Sequence, residues 1–455
     1  MPEEASTPGL STTQAVAAEA QSREPGAAAV PGGLAGERPG GPERFRIADT
    51  VKRAVPEPFR HAAGDPLYRP LRILTVDPAV SRLEGAVANV NVPYEPLDPG
   101  PVGRVFRVEA HDGVEGVPGQ PADLNHAYAL VNHGYDPSPS DRRFHQQMVY
   151  AVCSAVYSTF RNALGRQVGW GFERKSEPVR LRLVPFAFKG FNACYDRLNG
   201  ELCFGYGVAS SRPATDRTLP GGYVYSCLSH DVIVHEMTHA VLDGLRTHFS
   251  IPTNPDVAAF HEGFADLVAI FQRLSYRELV SVAIRKARGR LEDASLLTDL
   301  ALQLGHAEGR KGALRTASSN GKPRQYVVTD NPHEMGSVLV AAIFEAYVTV
   351  FKRKTARYIR LATGGTGILQ PGELPAELAE LLSDAVSKLA SQFLSLIIRA
   401  IDYCPPVDIR FGEYLRALIT ADCNLVPDDR WAYREALIDA FLQRNIYPRH
   451  VNSLS

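Results

Sequence analysis

The stretch SHDVIVHEMTHAVLDG, residues 229–244, decides how the rest of the chain is read. It contains the pattern H-E-x-x-H within an apolar run, and Gly244 marks the expected end of a helix. On a helix, positions four apart share one face, so His235 and His239 can reach one metal ion while Glu236, beside them, faces the water that ion carries. Taken alone the pentapeptide is moderately specific, since two surface histidines at this spacing would look the same.

A catalytic zinc takes a third protein ligand and keeps a fourth position open. The segment NPDVAAFHEGFAD, residues 254–266, offers one. Asn254 is a good N-cap and Pro255 a good first helical residue, so the spacing predicts a helix from there through Leu274. Glu262 lies within a mostly apolar run, where an uncompensated carboxylate would be costly, and is the candidate third ligand. Asp266, one turn on, can accept the second N–H of a ligand histidine and fix its tautomer.

These residues resemble the thermolysin-like gluzincin metallopeptidases, in which H-E-x-x-H is followed on a second helix by E-x-x-x-D. Residues 235–243, HEMTHAVLD, are close to that family's H-E-L-T-H-A-V-T-D. Residues 141–166 resemble the family's long helix before the active-site strand. Asn192 and Ala193, in the segment NACY, resemble its substrate-aligning edge, where a peptide adds as a further strand. Leu314 and Arg315 resemble an A-L-R segment that supplies a pocket leucine and an arginine for a substrate carbonyl. His333, in DNPH, resembles the late histidine that donates to the oxyanion. With Asn331 as N-cap it would stand in a helix's first turn, where the dipole favours a neutral N–H donor, although Asp330 could instead hold it protonated.

The resemblance implies a zinc-dependent endopeptidase favouring a hydrophobic residue on the prime side, with one catalytic Zn2+, Glu236 and His333 as catalytic residues, and a protein or peptide as substrate. Four departures accompany it. No tyrosine occurs between the two metal-bearing helices, so Thr247 or His248 would stand in or the donor is missing. Glu334-Met335-Gly336-Ser337 replaces the family's x-N-S-G. Asp231 matches one calcium-binding aspartate, but Arg273 stands among the positions where acidic partners are expected, which argues against a structural Ca2+. Only about 65 residues precede the first strand-like run, short for an inhibitory propeptide. Two other readings share these residues: a zinc fold that binds without turnover, and a zinc hydrolase confined to one target.

Outward from the site, residues 1–65 read as a disordered N-terminal tail, the first 45 rich in Ala, Gly, Pro, Ser and Glu. Strand-like runs at 71–76, 105–108, 181–188 and 202–206 flank a helix over 141–164, on which Phe144, Met148, Val152, Ala155, Val156 and Phe160 recur at helical spacing. Beyond residue 228 nearly every ordered stretch reads as helix, including 374–401 and 430–444. The expected fold is therefore α+β, and the resemblance makes it thermolysin-like: an N-terminal lobe over 66–227 with a mainly β sheet, a helical C-terminal lobe over 228–455, and zinc in the cleft between them.

Hydrophobic residues make up 45% of the chain and charged residues 22%, ordinary for a globular protein. With 49 Lys+Arg against 50 Asp+Glu, composition gives no electrostatic case for nucleic acid or an anionic membrane as partner. The six cysteines lack C-x-x-C spacing and are expected as free thiols. No run approaches about 18 consecutive apolar residues and no signal peptide is evident, so the expected location is cytoplasmic, or outside the cell by a route the sequence does not show.

Overall fold

The computed structural model describes residues 55–78, 85–116, 118–172, 179–209, 221–294, 297, 299–300, 315–316 and 323–451. Residues 1–54 of the expected tail lie outside them. Residues 55–65 run irregularly, with Phe59 edge-on to Tyr94 at 6.1 Å between ring centroids.

The architecture is α+β. Strands β1 (Tyr68–Leu74) and β2 (Val87–Pro93) form an antiparallel hairpin. On β2, Ala88, Val90 and Val92 are buried while Asn89 and Asn91 are exposed, the period-two alternation of a half-buried strand. A five-stranded sheet follows, built from β3 (Phe106–Val108), β4 (Leu181–Lys189), β5 (Ala193–Asp196), β6 (Glu201–Val208) and β7 (Tyr223–Tyr225). Its order is β3-β4-β6-β5, with β7 also on β6. Strands β3, β4 and β6 run parallel, whereas β5 and β7 run antiparallel to β6. Strand β5 is thus an edge of the sheet.

After a short helix α1 (Ala127–Val131), helix α2 (Arg142–Leu164) packs against the hairpin, the sheet and the helix that begins at His230. Asp141 caps it by accepting from Arg143 N, and Gly165 closes it at φ 68, where a glycine carries no Cβ penalty. Phe144, Met148, Val152, Val156 and Phe160 are all buried on it, with Ala155 half-buried.

Helix α2 also carries His145, whose Nε2 donates to Pro139 O at 2.9 Å. Burial pushes this imidazole down to about 4. The unfolded chain therefore takes up a proton near pH 6.5 that the folded chain refuses until about pH 4. Stability is full above the unfolded value and falls with pH through that window, by about 3 kcal/mol from this residue alone. Urea midpoints measured from pH 7 to 4 should fall more gently for His145→Gln; identical slopes would contradict this.

The helical part comprises α3 (His230–Leu245), α4 (Pro255–Leu274), α5 (Arg277–Lys286), α6 (Pro332–Ala362), α7 (Ala376–Ala400), α8 (Phe411–Leu425) and α9 (Tyr433–Leu442). One deviation from the all-helical expectation is a two-stranded ribbon, β8 (Asp299–Leu300) with β9 (Arg315–Thr316). Helix α4 begins and ends where the sequence predicts, with Asn254 Oδ1 accepting from Asp256 N. Helix α3 does not stop at Gly244. That glycine lies inside the helix because a Cβ there would stand 2.0 Å from Gly169 O, so it permits a close backbone approach rather than a left-handed turn.

Helix α6 packs along α4, α7 and α9. Two stretches, Pro332–Ala362 and Ala376–Tyr403, are long and apolar enough to cross a membrane by length and composition, although no uninterrupted apolar run reveals this. Their most apolar windows are 78% and 56% buried within the fold, so each packs as a core helix.

Helices α4 and α6 touch backbone to backbone at Gly263 and Gly336. A Cβ on Gly336 would lie 2.8 Å from both Ala259 O and Gly263 N. Because Gly336 stands one turn after His333, and Gly263 follows Glu262, this crossing sets the distance between those two side chains. Gly336→Ala should force the helices apart at a cost of about 1–3 kcal/mol. An unchanged denaturation midpoint would contradict that packing.

Candidate metal centre

Helices α3 and α4 lie antiparallel, so residues along one meet residues along the other in reverse order. At one end Asp231, in the first turn of α3, pairs with Arg273, in the last turn of α4, and both are buried. Each charge also sits at the helix end whose dipole favours it. This pairing gives the aspartate a cation from the chain itself.

One and two turns along α3, His235 and His239 converge with Glu262, their candidate ligand atoms all within 4.8 Å of one another. His235 Nε2 and His239 Nε2 are 3.0 Å apart, and Glu262 oxygens lie 3.2 Å from the first and 3.8 Å from the second. Burial opposes ionisation of Glu262, yet the surrounding imidazoles of His239, His235 and His333 hold it well below the usual carboxylate range. Burial pushes His239 well below the usual imidazole range, opposed by the neighbouring Glu262 charge.

For His235 the outer hydrogen bond fixes which nitrogen is bare. His235 Nδ1 donates to Asp266 Oδ1 at 2.8 Å, which leaves Nε2 as the lone-pair nitrogen. His239 Nδ1 lies 3.3 Å from His261 Nδ1, with the rings stacked at 24°. Burial pushes His261 down to about 4, so it is neutral and can accept from His239 Nδ1–H. Two lone-pair nitrogens and a carboxylate then face one another, an arrangement that suits a cation better than any shared proton. The donor set, two imidazoles and one carboxylate, fits zinc.

His261 received no role from the sequence, where it is an ordinary neighbour of Glu262; only the antiparallel helix pairing brings it under His239. Its replacement by Leu should weaken zinc binding about 10- to 100-fold, whereas Asn, which keeps an acceptor, should largely preserve it. Competition with a chromophoric chelator measures this; equal affinity for parent and His261→Leu would remove His261 from the centre.

Glu236 is buried on α3 between the two histidines in sequence. His333 stands in the first turn of α6, where Asn331 Oδ1 accepts from His333 N and Glu334 N. Its Nδ1 reaches Glu262 Oε2 at 3.0 Å while its side chain stays 47% exposed. Thr247 Oγ1 donates to Asp243 O at 3.0 Å, so that hydroxyl turns back onto α3, and His248 is exposed.

Asn192 stands exposed at the head of edge strand β5, its Oδ1 accepting from Ala193 N at 2.9 Å, and Ala193 is buried opposite Phe204. Tyr195 on the same strand donates its hydroxyl to Asp243 Oδ2 on α3 at 2.9 Å, tying the edge strand to that helix. Asp243, too, had no role assigned from the sequence. Leu314 lies outside the described residues. Arg315 is described only as backbone, paired with Leu300 in the ribbon. No family model matches the chain, and no curated protein matches it.

Proposed function

We propose that this chain is a zinc-dependent peptidase of the thermolysin-like type. The observation that carries the reading is the meeting of His235, His239 and Glu262 across two helices, with Glu236 on the turn between the two histidines. Bound by these three side chains, a zinc ion would polarise a scissile carbonyl and lower the pKa of a water.

The chain's own residues would do the rest. Glu236 would accept the proton of the attacking water and pass it to the leaving nitrogen. His333 would donate an N–H toward the carbonyl oxygen as charge develops there. Asp266 and His261 would hold the two histidines in the metal-binding tautomer. Edge strand β5, headed by Asn192 and Ala193, would align an extended peptide through backbone hydrogen bonds. Calcium has no part in this proposal, because Asp231 pairs with Arg273.

Cleavage-site mapping on an unfolded protein tests the reading. Internal cuts before hydrophobic residues are expected from the zinc-loaded chain. Release of terminal residues alone would exclude an endopeptidase.

A further inference from the structure

Cys194 and Cys203 face each other across two strands. They are direct register partners in the antiparallel pair β5–β6. The pair two residues along, Asn192 with Gly205, is joined by a bond from Gly205 N to Asn192 O at 2.8 Å. Hydrogen-bonded pairs recur at every second position, so Cys194 and Cys203 form one, with Cα atoms about 5.5 Å apart by that geometry. This Cα separation lies inside the range that disulfides span, and closing the bond draws together Cβ atoms that start about 5.5 Å apart.

The two thiols are also accessible and already in contact. Both are half-exposed, whereas Cys153, Cys227 and Cys404 are buried. Burial raises the pKa of those three thiols and so suppresses the reactive thiolate. A hydrogen bond from Cys203 holds Cys194 below the usual thiol range, even though burial and the nearby Glu236 charge oppose this. Cys203 Sγ also lies 3.8 Å from Glu201 Oε2; its bond to Cys194, burial and the Glu201 charge hold its own thiol above the usual range, so Cys194 is the attacking sulfur. The pair therefore has a better nucleophile in Cys194 and a resolving partner in Cys203.

We infer that Cys194 and Cys203 are a redox-active pair that a peroxide closes into a cross-strand disulfide on the edge strand beside Glu236. The Cys194 thiolate attacks one peroxide oxygen; the O–O bond breaks, one water leaves after protonation, and a sulfenic acid forms on Cys194. Cys203 sulfur then attacks Cys194 sulfur; the S–O bond breaks, the S–S bond forms, and a second water carries off the oxygen. In sum two thiols and one peroxide give one disulfide and two waters, with two electrons passing from sulfur to oxygen. The crosslink ties the edge strand to its neighbour, and a dithiol reductant reverses it.

The inference does not depend on the peptidase reading. Its test is treatment of the folded full-length chain with hydrogen peroxide, followed by thiol titration and tryptic mapping. Arg197 lies between the two cysteines, so trypsin separates their peptides unless a disulfide joins them. The expected result is loss of two of the six thiols, recovered with dithiothreitol, and a linked pair of peptides carrying Cys194 and Cys203. In Cys203→Ser, Cys194 should stop at the sulfenic acid and be trapped by a cyclic 1,3-diketone; in Cys194→Ser, Cys203 should stay reduced. Six free thiols after treatment, or oxidation confined to exposed Cys423, would overturn the inference, as would a disulfide between any other two cysteines.

Discussion

Glu236→Gln should lose peptide hydrolysis by about a thousandfold or more while binding zinc as the parent does. The amide is nearly isosteric with the carboxylate but cannot accept the water's proton, and Glu236 lies outside the group formed by His235, His239 and Glu262. Metal content after dialysis and initial rates on an unfolded protein, measured on the same preparations, separate the two properties. Equal loss of zinc and activity would make Glu236 a ligand rather than a base.

Glu262→Gln should do the reverse, weakening zinc binding by more than about a hundredfold and losing activity only as a consequence. The carboxylate supplies the negative charge of the centre, and its oxygens are 3.2 Å and 3.8 Å from the two Nε2 atoms. Neutralising it removes the anion and leaves two imidazoles, a poor site for a dication. Activity at saturating zinc should recover in part. A Glu262→Gln protein that retains zinc through dialysis as the parent does would exclude Glu262 as the third ligand.

Much of this centre is legible in the sequence because local rules write it. The i, i+4 spacing of His235 and His239 needs only a helix. The Asn254-Pro255 start fixes α4, and hence the turn that carries Glu262 and Asp266. Asn331 likewise caps α6 and places His333 in its first turn. The α+β division follows from the change of hydrophobic period near residue 228.

What the sequence hides depends on contacts between elements. Gly244 reads as a helix stop but serves a close approach by residue 169. Gly263 and Gly336 look like helix-weakening residues until the α4–α6 crossing shows that neither side has room for a Cβ. His261 gains its place only when α3 and α4 run antiparallel, and the register of β5 on β6 alone brings Cys194 opposite Cys203. Strand β5, four residues long, is too short to carry a periodic signal.

A zinc titration of the metal-stripped chain, reading cleavage of an unfolded protein and bound metal together, decides whether zinc at this centre drives hydrolysis. No cleavage is expected without metal; activity should rise in step with zinc to one ion per chain and be lost again with a chelator. Stoichiometric zinc at His235, His239 and Glu262 without cleavage of any peptide bond would contradict this.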